Sequence, residues 1–261
     1  MFRFRVIITS ILLLSSLPSS AQMSQELFNF IVNTTASHYQ QEFLRQQQKL
    51  SIVAAWHNDN IYANAWKMED AKGETGLVQI SGGFARHPYI TADAFALILC
   101  HEVGHHIAGP PKIWKFSAEG QADYFAASDC LRKLFRQPEF PWKPKYVPRV
   151  VRLACIDAFE KKAEQLICAR IALAGASLAG YFAQKRDLLM PLLARQDNTI
   201  VEQTTLIPAS PQCRLDTYFA AALCNSNTDL NSVDRPWLCH SIKNRSKSNR
   251  PPCWFKETAA D

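Results

Sequence analysis

Hydrophobic residues recur along the chain with two different spacings, which together predict an α+β fold that is mainly helical. From Ser24 to Leu50 the apolar positions largely follow one face of an amphipathic helix. Three short stretches rich in β-forming residues predict strands at 51–56, 61–66 and 76–81, with a polar loop at 68–74. The pattern therefore predicts a small sheet packed beside helices.

Two further helices are expected in the middle of the chain. Thr91 is a good N-cap for a helix from Ala92 to Ala108, and Gly109-Pro110-Pro111 would end that helix. Ser117 is a candidate N-cap for a second helix that runs to about Arg136. The short connection between the two helices would bring the second back beside the first.

After Arg136 the chain has a proline-rich connection at 137–148 and a helical pattern at 149–184. Residues 166–183 are apolar except for Arg170 and a few Gly and Ser, which fits a membrane span or a core helix. Their many small residues favour a closely packed core helix. If one helix covers 155–168, its ends lie about 20 Å apart, so Cys155 and Cys168 should not pair with each other.

The amino-terminal residues are typical of a secretory signal peptide. Arg3 and Arg5 precede a short apolar run, Val6 to Leu14, and the small residues Ser19-Ser20-Ala21 then predict cleavage before Gln22. An uncleaved anchor is the alternative, although the run is short for a bilayer span. We expect an exported protein, periplasmic or secreted, with no stable membrane span after the signal is removed.

Charge and cysteine content refine this picture. The formal charge of +6 is mild, and it does not indicate nucleic-acid binding without clustered Lys and Arg. Ser and Asn separate the basic residues from Lys243 to Arg250, so a solvated loop is expected there. Eight cysteines in an exported chain predict disulfides, although the sequence does not decide their pairing. Disulfides would also hold down the loop-rich region after residue 196.

Residues 101–105 read His-Glu-Val-Gly-His, the HExxH pattern. On a helix, His101 and His105 lie one turn apart on the same face, so both imidazoles can reach one metal ion. Glu102 points beside that ion, where it can take a proton from water that the metal activates. Cys100 points away from this face, and we expect it in a disulfide or as a buried thiol rather than as a ligand.

The second predicted helix offers a third ligand. Catalytic zinc sites use three protein groups and one water, and Glu119 follows His105 across the Gly-Pro-Pro turn. Asp123 lies one helical turn beyond Glu119, where its carboxylate can accept the free N–H of a liganding imidazole. We therefore predict one zinc ion bound by His101, His105 and Glu119.

The motif HEVGH, followed by Glu-x-x-Ala-Asp on the next helix, resembles the gluzincin zinc metallopeptidases of the HtpX and CAAX prenyl protease type. Ala63-Asn64-Ala65-Trp66 is similar to an Asn-Ala-aromatic segment of that group, and Gly76–Gly83 to its strand beside the cleft. The resemblance covers about residues 60–130. It implies a zincin-like core in which a small sheet lies beside the HExxH helix and a second ligand-bearing helix. It also implies the site roles, which are zinc binding by His101, His105 and Glu119, general base catalysis by Glu102 and ligand support by Asp123.

This interpretation divides the chain into four regions: a signal peptide at 1–21, a metallopeptidase core at 22–136, a connection and completing helices at 137–195, and a cysteine-rich region at 196–261. The membrane helices and tetratricopeptide repeats found in parts of the similar group are not evident here. Substrate specificity therefore does not carry over from the resemblance.

The predicted function is an exported zinc endopeptidase that acts on proteins or peptides. The strand at Leu77–Ser81 is expected to pair with an extended substrate. The donor for the oxyanion stays open among His106, His87, Arg86 and Tyr124. The alternative function is a secreted zincin-fold binding or assembly protein without proteolytic activity, and the sequence does not predict the oligomeric state.

Overall fold

The computed structural model describes residues 23–71, 73–140, 146–225 and 245–257. The predicted signal peptide at 1–21, Cys239 and the start of the basic segment at Lys243 lie outside these ranges.

The described residues form a mainly helical α+β fold, which confirms the predicted class. The helices are α1 (Gln25–Arg45), α2 (Gly82–Ala85), α3 (Ala92–Ile107), α4 (Glu119–Phe125), α5 (Leu131–Phe135), α6 (Arg149–Ala158), α7 (Lys162–Lys185), α8 (Pro211–Ala222) and α9 (Arg245–Ser248). The strands are β1 (Gln48–Ala55), β2 (Ala63–Asp70), β3 (Gly73–Ser81), β4 (Lys112–Ile113) and β5 (Phe116–Ser117). A π-helical turn, Ala126–Cys130, joins α4 to α5.

The larger sheet has the strand order β1-β3-β2 and is mixed. β1 pairs with β3 in parallel, and β2 pairs with β3 antiparallel, with Trp66 opposite Leu77. Two expectations are therefore wrong. The predicted loop at 68–74 belongs mostly to two paired strands, because the β2–β3 hairpin extends as a charged arm in which Lys67 Nζ lies 2.5 Å from Glu74 Oε1. The expected substrate strand Leu77–Ser81 is also central and paired on both sides, so that β1 and β2 form the two edges, and β2 is the edge that lines the cleft.

Helix α3 runs through the centre of the fold, and almost all its residues are buried. Its N-cap is Thr91, as predicted, and the Thr91 hydroxyl accepts a hydrogen bond of 3.2 Å from Ala94 N–H. The second predicted helix begins differently. Ser117 is not its N-cap, because it pairs with Lys112 in the β4–β5 hairpin and leaves the N-cap position to Ala118.

The predicted long helix after residue 149 is two helices, α6 and α7. Phe159 is extended (φ −132°, ψ 134°) and ends α6, after which α7 begins at Lys162. The expectation that Cys155 and Cys168 do not pair is therefore wrong. The break turns the chain back on itself and brings their Cα atoms to 5.8 Å, within a disulfide.

Helix α7 explains the apolar run at 166–183. It is long and apolar enough to cross a membrane by length and composition, and 67% of its most apolar window is buried inside the fold. Arg170, the charge within that run, forms two hydrogen bonds of 2.7 Å to the carboxylate of Asp93 at the start of α3. This ion pair links α7 to α3, and the Asp93 carboxylate compensates the buried charge of Arg170.

Two more disulfides hold the described chain together. Cys100 of α3 pairs with Cys130 of the π-helical turn, and Cys213 of α8 pairs with Cys253 near the carboxyl end. A disulfide within the region after residue 196 is therefore present, as predicted, and it links α8 to residue 253. Three disulfides are compatible with an oxidising compartment.

Candidate metal centre

The structure brings together the three predicted ligands, which lie on α3 and α4. Donor atoms of His101, His105 and Glu119 all lie within 4.8 Å of one another. His101 Nε2 is 3.4 Å from Glu119 Oε2, and His105 Nε2 is 3.7 Å from Glu119 Oε1. These three side chains could hold a metal ion.

The outer nitrogen of each imidazole contacts an oxygen acceptor. His101 Nδ1 lies 2.7 Å from Asp123 Oδ1, which is the partner that the sequence predicted. His105 Nδ1 lies 2.9 Å from the Ser117 carbonyl, in the strand that precedes α4. With a proton on each Nδ1, each Nε2 faces Glu119 and could bind a metal ion in place of a proton, and such supporting contacts fix the ring for metal binding.

Two residues of α8 that hold Asp123 could not be predicted from the sequence. Arg214 donates two hydrogen bonds to its carboxylate, from Nε (2.8 Å) and Nη2 (2.6 Å). The Tyr218 hydroxyl donates a third, of 2.7 Å, to Oδ1. All three side chains are buried. Arg214 and Tyr218 are four residues apart, so they share one helix face, and that spacing is the only signal the sequence offers for them.

Close packing of α3 against α4 depends on Gly104, which lies between the two histidines. A Cβ atom at this position would lie 2.9 Å from Phe125 Cδ1 and 3.2 Å from the backbone of Ala122. A larger residue would push the helices apart. Gly104 therefore keeps Glu119 within reach of both imidazoles.

Glu102 is buried and lines the same cleft as the three ligands. Burial raises its pKa to about 7, although the nearby charge of His101 opposes the shift. A carboxyl group with a pKa near the operating pH is suited to taking up and releasing a proton.

The electrostatics of the site favour a cation. The carboxylates of Glu102, Glu119 and Asp123 lie around the two imidazoles, and Arg214 pairs with Asp123 alone among these carboxylates in the described part of the chain. Burial lowers the pKa of His105 to about 4. Burial acts in the same direction on His101, but Asp123 and Glu119 outweigh it and raise its pKa to about 10. The pKa shift of His101 shows how strongly these carboxylates attract positive charge.

A cleft of about 550 Å³ opens beside the site. One side is formed by β2 and another by the β4–β5 hairpin, and residues of α7 contribute a further part of the lining. The four candidates for the oxyanion donor do not line this cleft within the described part of the chain. Their contacts are as follows: His106 packs against Phe43 and Phe116, His87 against Tyr181, Arg86 over Trp56, and the Tyr124 hydroxyl donates to the Ser248 carbonyl.

Comparison with known proteins identifies no relative. No family model, curated protein or solved structure matches this chain.

Proposed function

We propose that this protein is a zinc-dependent endopeptidase of the gluzincin type, with a zincin-like core. The observation that supports the proposal best is the set of three converging ligands with a buried carboxylate, Glu102, in the same cleft. A protein that only binds a metal has no need of a buried base beside it.

The donor set fits zinc. Two histidine nitrogens and one carboxylate oxygen form a known catalytic zinc set. Ligands about 2.0–2.1 Å from one tetrahedral ion lie roughly 3.3 Å apart, close to the 3.4 and 3.7 Å that separate the imidazole nitrogens from the Glu119 oxygens. Zinc, when bound, would polarise the scissile carbonyl and lower the pKa of a water molecule.

Glu102, Asp123 and Arg214 then have separate roles in the reaction. Glu102 takes a proton from the attacking water and passes it to the leaving amine. Burial raises the pKa of Glu102, which favours uptake of a proton by its carboxylate. Asp123 holds the His101 ring through Nδ1, and Arg214 holds Asp123.

The substrate is proposed to be a polypeptide in extended form. β2 is at the sheet edge, and residues from Ala63 to Trp66 line the cleft. An edge strand can pair with a peptide backbone and leave the peptide side chains to contact the walls. The strand proposed to pair with the substrate is therefore β2, rather than β3 as the sequence predicted.

Export to the periplasm or the cell exterior is the second part of the proposal. The signal-like residues at 1–21 support it, and the disulfides are compatible with it.

The test compares wild type with Glu102→Gln on denatured protein substrates, with new amino termini mapped by mass spectrometry. We expect cleavage by wild type alone, with one zinc ion retained in both proteins. Zinc binding without cleavage by wild type would favour the binding or assembly function. Equal cleavage by the two proteins would refute the role of Glu102.

A further inference from the structure

We propose that Trp66 and Trp114 form an aromatic subsite that selects peptides with large apolar side chains near the scissile bond. This inference rests on the proposed peptidase function and names its substrate class. Both side chains line the cleft that holds Glu102 and the three ligands. They belong to separate elements, since Trp66 is on β2 and Trp114 is at the tip of the β4–β5 hairpin.

Trp114 is the first residue of the two-residue turn between β4 and β5, a position that needs a positive φ and favours Gly or Asn rather than a bulky side chain. Its side chain is 92% exposed, so it contributes little to the core. Its backbone has φ = +53°, in the left-handed region that is costly for a bulky residue. A residue that is both strained and exposed beside a cleft suggests a functional constraint rather than a packing one.

The hairpin that carries Trp114 is attached directly to the metal centre. The Ser117 carbonyl at its base accepts the His105 hydrogen bond, and Ala118 N–H donates to the Pro111 carbonyl at 2.8 Å. Near the tip, Lys115 Nζ lies 3.4 Å from Glu74 Oε2 at the end of the sheet. These contacts hold the hairpin backbone that carries Trp114 beside the ligands.

Trp66 supplies the second aromatic surface, on the edge strand. It is 55% exposed although β2 packs near α3. Much of the remaining lining is also apolar, including Ile61, Ile113, Phe116 and Phe182. A peptide paired with β2 would place alternate side chains against this surface. Large apolar side chains gain most there, because tryptophan buries a large area at a small cost in side-chain entropy.

The experiment measures peptide binding separately from hydrolysis. Two fluorescent 12-residue peptides differ only in central residues, Leu and Phe in one and Ser in the other. Their dissociation constants are measured by anisotropy against full-length mature Glu102→Gln protein loaded with zinc. Trp114→Ala and Trp66→Ala are introduced in this background, with Leu189→Ala as the control because Leu189 is 82% exposed and outside the cleft lining.

We expect each tryptophan variant to bind the apolar peptide about 5- to 30-fold more weakly, as for truncated interface anchors. Binding of the polar peptide, zinc content and melting temperature should stay unchanged. Trp114→Phe should recover part of the affinity, and Leu189→Ala should have no effect. In the catalytic protein, Trp114→Ala should raise KM for the apolar peptide more than it lowers kcat.

Equal affinity of the apolar peptide for all variants would overturn the subsite while leaving the peptidase proposal intact, provided that wild type cleaves peptides. Tryptophan-dependent binding without cleavage by wild type would support the subsite and refute the peptidase. Binding to phosphatidylglycerol vesicles that Trp114→Ala abolishes, with peptide affinity unchanged, would assign the hairpin tip to a membrane surface and overturn the proposal.

Discussion

Replacing Arg214 by Met tests whether the buried partner of Asp123 supports the candidate metal centre. The substitution keeps an unbranched apolar side chain but removes two charge-assisted hydrogen bonds, of 2.8 and 2.6 Å. Asp123 would keep Tyr218 and His101 as neighbours, but its buried negative charge would lose its only bidentate partner among the described residues.

Breaking a buried ion pair on one side costs about 3–5 kcal/mol. For a chain of this size, each kcal/mol corresponds to about 2–4 °C in melting temperature, so a decrease of about 6–20 °C is expected. Zinc affinity should also fall roughly 10- to 100-fold, as when a residue that supports a ligand is lost. The assay combines thermal and urea unfolding with zinc titration against a competing chelator.

Arg45→Met is the matched control, because the Arg45 side chain is 74% exposed and its ion pair with Glu42 lies at the surface. That pair contributes at most about 1 kcal/mol. Adding Asp123→Asn to Arg214→Met should recover part of the lost stability, since it removes the uncompensated charge. An Arg214→Met protein within about 1 kcal/mol of wild type, with unchanged zinc affinity, would refute the reasoning.

Three further predictions concern stability. Replacing Cys155 and Cys168 together by Ser should lower the free energy of unfolding by about 2–3 kcal/mol, as for a bridge that closes a short loop; an unchanged urea midpoint would contradict this. Removal of zinc by the chelator dipicolinate should lower the melting temperature reversibly. The free energy of unfolding should fall by about 2.7 kcal/mol relative to protein at a free zinc concentration 100 times Kd. An unchanged melting temperature in the presence of dipicolinate would contradict this prediction. Burial opposes the shift, but hydrogen bonds and charges from Arg136 and Arg132 hold the pKa of Glu164 below its usual 4.5. Its stabilising contribution is therefore present above about pH 4.5 and is lost as the pH falls through the lowered pKa, so Glu164→Gln should flatten the acid side of a plot of stability against pH.

The three candidate metal ligands could be predicted because their geometry is local. Helical spacing alone places His101 and His105 on one face, and the short Gly-Pro-Pro turn limits how far Glu119 can lie from them. The structure places all three as the spacing required. Thr91 was predictable for the same reason, since an N-cap acts within three residues.

Arg214 and Cys155 show where sequence reasoning failed. Arg214 lies 91 residues from Asp123, and no local pattern connects a residue on one helix with a partner so distant. The Cys155–Cys168 disulfide was excluded because the helix was assumed to be continuous. The break at Phe159 carries neither Gly nor Pro, so tertiary packing rather than local propensity decides where α6 ends.

The hairpin with Trp114 was missed for a further reason. Each of its strands is two residues long. An alternation of apolar and polar residues cannot be recognised over so short a stretch. Its conformation follows from contacts with α3 and the sheet, which only the folded chain provides.

The most direct test of the central claim is the rate of peptide-bond hydrolysis by wild type and Glu102→Gln at equal, measured zinc content. The proposed mechanism predicts one zinc ion per chain in both proteins and a loss of rate of about 10²- to 10⁴-fold in the variant, the usual contribution of a general base. Equal rates at equal zinc content, or no zinc bound by wild type, would contradict the claim.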